Sequence, residues 1–365
     1  MSPSLVPAAP RGKRREPKPS VQGRKGAGAR HDPQLRCGAT RDCLGLSVGA
    51  FVPMLSFSTD GLPPHERFDQ WREERGRQLF GVTIEMPPER RTDFRGHFSA
   101  RQAGGATLAT LGASAYRVSR TPSDIARTPR DALVIWFQIA GPGWCETRAG
   151  TGFTPAGGMA VGHSDSPYAA TPSTEADFLC RFITVPTALI GEHAEPSGGL
   201  PLRTVEDRGL GRLMEAMADA LFDDQRNLQD ESAAEAVRDM ARLALVASGT
   251  LKGGAQDGRQ AMRTGLRHAA LRIMRRQFHR HDLTPDLVAQ RLGVSVRQLH
   301  LIFEPTGRSV FQTLTAIRIE EACRRLSTVP GEAIVTVAFA CGFDSLATFY
   351  RAFRRETGGT PSDFR

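Results

Sequence analysis

The stretch LTPDLVAQRLGVSVRQLHLIF, residues 283–303, reads as two short helices joined by a tight turn. Thr284 is a good N-cap, and Pro285 falls at the first helical position, where its missing N–H costs nothing. Leu287, Val288 and Leu292 share one apolar face. Gly293 can take the left-handed conformation that ends a helix, and Ser295 caps the next, turning Val296, Leu299, Ile302 and Phe303 inward. Two short helices with such a turn make a helix-turn-helix. Arg297, His300 and Leu301 then lie on the outward face, where a recognition helix presents side chains to the major groove of DNA.

A second copy of this plan begins at Ile334. Ile334, Val337 and Ala338 form an apolar face, Cys341-Gly342-Phe343 makes the turn, and Asp344 or Ser345 caps a helix with Phe349 and Phe353 inward. Leu346, Ala347, Thr348 and Arg351 face out. Arg354 and Arg355 follow and are expected to meet phosphate, adding affinity without sequence information. Cys341 occupies a turn position that wants a small buried side chain, not a redox group. Between the copies, Ser309 and Gln312 have the form of a capping box opening a longer helix through Arg325, with Ile317, Ile319, Ala322 and Leu326 as its packing residues.

At these residues the sequence resembles the AraC/XylS family of bacterial transcription regulators. The resemblance rests on Ala289 with Leu292 to Ser295, on Leu299, Phe303 and Gly307, on Arg318 with Ala322, and above all on AFACGF at 338–343 with Phe349, Arg351, Phe353, Gly358, Thr360 and Pro361. It covers roughly the last 100 residues in unbroken register. It implies two helix-turn-helix motifs bridged by a long helix, with both recognition helices entering successive major grooves of double-stranded DNA about 34 Å apart. Three residues depart from the pattern. Leu301 stands where the family usually has a basic or polar base-reading residue, Pro305 should cut the first recognition helix short, and Ala333 replaces the usual Ser cap. A Leu can contact a thymine methyl, so altered base preference is expected rather than lost binding.

Upstream the periodicity changes. Phe68 and Trp71 with Leu79 and Phe80 suggest a short amphipathic helix. Eight short segments of β character follow, at 82–86, 94–101, 106–111, 116–119, 133–139, 144–147, 159–162 and 178–185, with Gly, Pro, Asp and Ser between them. The pattern argues for a β-sandwich or barrel. Trp136, Phe137 and Phe153 are expected in its core rather than in an effector cage. This region resembles, at Leu62 to Trp71, Phe94 to Gly96, Arg120 with Thr121, and Ser166 to Tyr168, the AraC-binding-like domain of the XylS branch. That resemblance implies a cupin-like sensor for an aromatic or other small organic effector, with the following helices aiding homodimerisation. His163 with Asp165 could be taken for a metal ligand pair, but the His-x-His, Glu and further His of a cupin metal site are missing, so neither metal nor cofactor is expected.

After Pro186 the spacing is helical. Leu210, Leu213, Met214, Met217, Ala220 and Leu221 make one apolar stripe, and Ala233, Ala236, Val237, Met240, Ala241, Leu243 and Ala244 another. These stripes either pack back on the β domain or form a dimer seam. Residues 249–258, rich in Gly, read as a linker. The organisation expected is an α+β multidomain chain: an extension over 1–53, a β-rich sensor over 54–190, a helical dimerisation segment over 191–248, the linker, and an all-α DNA-binding domain over 259–365.

Charge follows this division. Of 48 Lys+Arg and 39 Asp+Glu, residues 1–50 hold 10 and 3, residues 51–258 hold 21 and 27, and residues 259–365 hold 17 and 9. A basic C-terminal segment beside an acidic middle is the pattern of an electrostatic partner for phosphate, and charge alone does not choose between nucleic acid and anionic lipid. Residues 1–53 lack hydrophobic periodicity and read either as a disordered tail or as an extension ahead of a start at Met54. No apolar run approaches the roughly 18 residues that span a bilayer, and no apolar region follows the basic N-terminus, so a cytoplasmic protein is expected. The function implied is a sequence-specific DNA-binding regulator, an activator responding to a small effector and contacting RNA polymerase, and not an enzyme. Two alternatives keep the same DNA-binding fold. In one the β domain only dimerises or contacts polymerase. In the other the fold is fused to a DNA-repair methyl acceptor, for which Cys37 and Cys43 do not supply the four-cysteine zinc site.

Overall fold

The computed structural model describes residues 55–171, 177–191, 199–223, 230–329 and 331–365. The expected extension over 1–53 lies outside the described residues. Runs such as ALVIWFQIA and FLCRFITVP are apolar at nearly every position, a pattern that places both faces of a strand in a core. They are β6 (Ala132–Ala140) and β11 (Phe178–Pro186), paired in antiparallel register from Leu179↔Ala140 to Pro186↔Ala132. Around them a seven-stranded sheet runs in the order β1 (Leu55–Ser58), β3 (Gly96–Ala103), β4 (Ala106–Ala113), β11, β6, β9 (Met159–His163), β12 (Arg203–Thr204). A five-stranded sheet packs on one face: β2 (Thr83–Glu85), β5 (Arg117–Arg120), β10 (Tyr168–Thr171), β7 (Gly143–Thr147), β8 (Gly150–Thr154). The two sheets do not close into a barrel, so the sandwich form of the expectation holds. All eight expected segments are strands. β1, β8, β10 and β12 are only two to five residues long, and β8, β10 and β12 have little apolar alternation to announce them.

Alternation along the central strands sorts their side chains into two cores. Trp136, Cys180, Phe182, Ala109 and Leu111 face the second sheet, where Phe68, Trp71, Phe94, Phe98, Tyr116 and Phe178 fill an aromatic interior. Leu133, Ile135, Phe137, Ile183, Val185 and Leu108 point the other way, against the two helices that come after the short α2 (Pro122–Arg127), namely α3 (Arg208–Phe222) and α4 (Asp230–Ala247). Met214, Met217, Leu221, Val237, Met240 and Ala241 are fully buried there. The helical stripes therefore pack back on the sheet, and the seam reading of them is settled by that burial. A dimer would have to use other faces of these helices.

Phe153 departs from expectation. It is 45% exposed and stacks on Trp144, 48% exposed, with ring centroids 4.8 Å apart. The two are directly opposed across β7 and β8, at one edge of the sheet, where no helix among the described residues covers them. The first helix also differs. α1 (Pro64–Trp71) ends at Trp71, and the chain continues in π-helical turns over Arg72–Phe80, stopped by Gly81 in the left-handed conformation. His163 and Asp165 are held by other partners, His163 Nε2 lying 3.2 Å from Asp131 Oδ1. Asp165 is held by the Arg120 guanidinium at 2.9 Å and by the backbone N–H groups of Arg130 and Asp131, and no His/Cys/Asp/Glu cluster that could hold a metal occurs among the described residues.

The last three residues of the segment 249–258, expected as linker, already belong to α5 (Gln256–Gln277), a helix shared by both halves of the chain. Its first half packs on α3 and α4 through Ala261, Leu266 and Ala269, and Thr264 donates to the buried carboxylate of Asp239 on α4 at 2.7 Å. Arg272 pairs with Glu215 and Asp219 of α3 at 3.1 and 3.0 Å. Its second half supplies Ala270 and Met274 to the core of the helical domain. No helix among the described residues is long and apolar enough to cross a membrane.

Candidate nucleic-acid interface

Local signals set the first motif. α6 (Pro285–Leu292) starts at Thr284, whose hydroxyl accepts from the Leu287 N–H at 3.3 Å, and ends at Gly293 with φ +71°. Nothing lies within 4 Å of the place a Cβ would take at Gly293, so only the backbone conformation demands glycine there. α7 (Val296–Phe303) is capped by Ser295, which accepts from the Gln298 N–H at 3.1 Å. Leu299, Ile302 and Phe303 are buried in one core with Leu283, Val288, Ala289, Met274 and Leu314. With those side chains fixed inward, Arg297, His300 and Leu301 are exposed, Leu301 to 56%. As Pro305 requires, α7 stops at Phe303 and passes through a 3₁₀ turn over Glu304–Thr306 to Gly307.

The second motif repeats this around α8 (Val310–Thr328), which opens on a capping box: Ser309 accepts from the Gln312 N–H at 3.1 Å, and the Gln312 side chain accepts from the Ser309 N–H at 2.8 Å. The helix bridges both cores, giving Leu314 and Ile317 to the first and Ile319, Ala322 and Leu326 to the second. α9 (Ile334–Ala340) has no side-chain cap, because Ala333 has nothing to offer its N–H groups. α10 (Leu346–Thr357) is capped by Ser345, not Asp344, at 3.2 Å from the Thr348 N–H. Phe349, Ala352 and Phe353 are buried, and Cys341 is fully buried in the turn as its size suggests. Burial pushes the Cys341 thiol up to about 12, which keeps it unreactive.

On the outward face of α10, Leu346, Ala347, Arg351, Arg354 and Arg355 are exposed. Thr348 is half-buried, and its hydroxyl accepts from Ser345 at 2.9 Å, which ties it to the cap. Arg355 is paired with Glu356 at 3.0 Å. Among the described residues no carboxylate pairs with Arg297, Arg351 or Arg354, so these three guanidiniums are available to an external anion. Gln298 and Tyr350 also stand exposed on the two recognition faces. Their i+3 and i+4 spacing, Gln298 to Leu301 and Leu346 to Tyr350 to Arg354, is the signal that marks them.

A buried arginine orients the two motifs. Arg318, on α8, donates to the carbonyls of Phe278 and Arg280 at 3.0 and 2.7 Å, and lies over the Phe343 ring with 5.9 Å to its centroid. It thereby joins the end of α5 to the turn of the second motif.

Comparison with known proteins agrees with this arrangement. A family described as a helix-turn-helix domain matches residues 288–365, and one described as an AraC-binding-like domain matches residues 71–249. The chain belongs to the AraC/XylS family. The transcriptional activator NphR of a Rhodococcus species is 25% identical over 340 residues, which span 90% of this chain and 97% of NphR. The HTH-type transcriptional regulator GlxA of Rhizobium meliloti (strain 1021) is 34% identical over 114 residues, 30% of this chain and 35% of GlxA. Among solved structures, the AraC-like transcriptional activator CuxR aligns over 79% of this chain and all of its own, with a TM-score of 0.47 and 19% identity. This AraC-type chain is thus a DNA-binding transcriptional regulator, with a β-rich domain ahead of its double helix-turn-helix.

Proposed function

We propose that this AraC-type regulator is a sequence-specific activator whose α7 and α10 enter two successive major grooves, and whose β domain receives a small organic effector. The carrying observation is the pair of capped recognition helices, each with its apolar side locked in its own core and its polar side exposed, mounted on one continuous helix, α8. Arg297, His300 and Leu301 on α7 and Leu346, Ala347, Thr348 and Arg351 on α10 are the base-facing set, with Arg354 and Arg355 toward phosphate. Helix α5 supports a path from sensor to DNA, since one rigid element packs on both.

Selection of binding sites from a random duplex library by the whole protein tests this reading. The wild type should recover a site with two motifs about one helical turn apart. Arg351→Ala should weaken binding about 10- to 100-fold and relax preference in one half only. Arg354→Ala should weaken binding to all sequences alike and reduce the salt slope by about one. Recovery of no consensus, with weak binding that falls steeply with salt, would show that the Arg-rich face meets only phosphate.

A further inference from the structure

Between the two sheets lies a cavity of about 80 Å³, several times the roughly 10–15 Å³ that one water needs. Its walls are largely apolar, with Phe80, Val134, Trp136, Phe182 and Leu202 contributing. Its polar members are three arginines beside His163, Ser164, Tyr168 and Thr184. Arg75, Arg120 and Arg130 all line it. Arg120 is fully engaged by Asp165 and by the carbonyls of Gly81, Thr128 and Ser164. Burial, and after it the nearby Arg120 guanidinium, pushes Arg130 below the ordinary arginine range, with Asp165 opposing the shift.

Arg75 is different from its neighbours. It comes from the π-helical turns after α1, is only 4% exposed, and its buried Nε and Nη1 have no hydrogen-bond partner. Among the described residues no carboxylate pairs with it. Its contacts are with the Trp71, Phe80 and Tyr116 rings, whose centroids lie 5.9, 5.3 and 5.2 Å from its guanidinium carbon. Rings offset a buried cation in part, but they accept none of its fork of N–H bonds. A buried guanidinium without an acceptor is costly, and a planar carboxylate is the acceptor that its geometry fits. Unsatisfied charge held in place by a fold is the kind of strain that functional sites carry.

We propose that this cavity binds a small organic carboxylate, with the acid group on the Arg75 guanidinium and the apolar body against Phe80, Trp136 and Phe182. The inference rests on the reading of the β domain as an effector receiver, and it names the chemical class. An acid with one ring or a short chain matches the volume. A phosphate or a sugar does not match the apolar walls and the single vacant guanidinium.

The test is titration of the full chain with benzoate, cyclohexanecarboxylate and hexanoate, with benzamide as the uncharged counterpart of the first, read by tryptophan fluorescence and by thermal melting. At least one acid should quench Trp136 and raise the melting temperature, and benzamide should bind at least about tenfold more weakly. Arg75→Met should weaken the acid by a similar factor and leave benzamide unchanged, and Arg75→Lys should restore part of the binding. The unliganded Arg75→Met protein should melt no lower than wild type, because it removes an uncompensated charge. A large fall in its melting temperature would make Arg75 a structural clasp over its three rings and overturn the proposal. So would equal binding of acid and amide, or acid binding that survives Arg75→Met. Effector control is read separately, as a change in site-specific DNA affinity on adding neutral and cationic compounds of the same size. A response to those without any to acids overturns the carboxylate class alone, and no response to any compound removes the effector reading as well.

Discussion

Arg120→Met is expected to lower the stability of the β domain by about 3–5 kcal/mol, the cost of removing one member of a buried ion pair. Arg120 and Asp165 have side chains only 3% and 6% exposed and lie 2.9 Å apart. The same guanidinium satisfies the carbonyls of Ser164, Gly81 and Thr128 at 2.6, 2.7 and 2.7 Å, drawing three loops onto one side chain. Methionine fills the volume and satisfies none of these acceptors. Against a total stability of roughly 5–15 kcal/mol, such a loss is severe. The chain's three tryptophans, Trp71, Trp136 and Trp144, all lie in this domain, so urea unfolding followed by tryptophan fluorescence reads it directly. A change below about 1 kcal/mol would show that the cluster is dispensable.

Acidity provides a second reading of the same cluster. Burial opposes ionisation of Asp165, but the N–H groups of Asp131 and Arg130 and the Arg120 guanidinium together hold its carboxyl below the usual carboxylate range. A depressed carboxyl stabilises the fold fully above its unfolded value, near 3.9, and this contribution is lost as the pH falls through the lower folded value. The difference between wild type and Arg120→Met should therefore be largest near neutrality and shrink below about pH 4, where protonated Asp165 no longer needs a cation. A difference independent of pH would mean that the lost carbonyl bonds, not the ion pair, carry the effect.

The second large effect is expected at Gly342. Its φ is +80°, and a Cβ there would lie 2.2 Å from the carbonyl oxygen of Phe278 and 3.1 Å from Nε of Arg318. The obstruction is backbone, so it cannot swing aside. Gly342→Ala must push the end of α5 off the turn of the second motif and break the Arg318 bonds to Phe278 and Arg280. We expect about 3 kcal/mol or more, from left-handed strain of about 1–2 kcal/mol plus the displaced contacts. Gly293→Ala is the control. It has a similar φ, +71°, but open space around it, and should cost only the strain. Circular dichroism melts of the helices should rank the two variants in this order. In DNA binding, Gly342→Ala should abolish the half-site read by α10, while the tryptophan signal of the β domain is unchanged. Equal losses at the two glycines would show that the close approach to Phe278 relaxes at no cost.

Most of the helical domain was legible in the sequence, because its signals act within a few residues. Thr284, Ser295, Ser309 with Gln312, and Ser345 cap helices through N–H groups three positions on, Gly293 ends a helix through its own φ, and Pro305 does so through its missing N–H and the clash of its ring with the preceding turn. Apolar spacing then decides which side of each helix is buried, and hence that Arg297, Leu301 and Arg351 face out. The β domain was legible as a class, since strand runs and turns alternate locally. Its sheet order was not, since β4 pairs with β11 across about seventy residues.

What only the tertiary structure decided is where exposed and buried surfaces meet across the chain. The sequence marks apolar stripes on α3 and α4 but not the sheet that covers them, and it marks a glycine-rich segment before α5 but not that α5 belongs to two cores. Phe153 looks like any core aromatic until its strand proves to lie at an open edge. Arg75 looks like a surface cation in the run REERGR until the π-helical turns after Trp71 direct it between the sheets. Caps, turns and amphipathic faces are set by neighbours in the chain. Burial is set by residues far apart in sequence, and the desolvated charge at Arg75 exists only once the fold has closed around it.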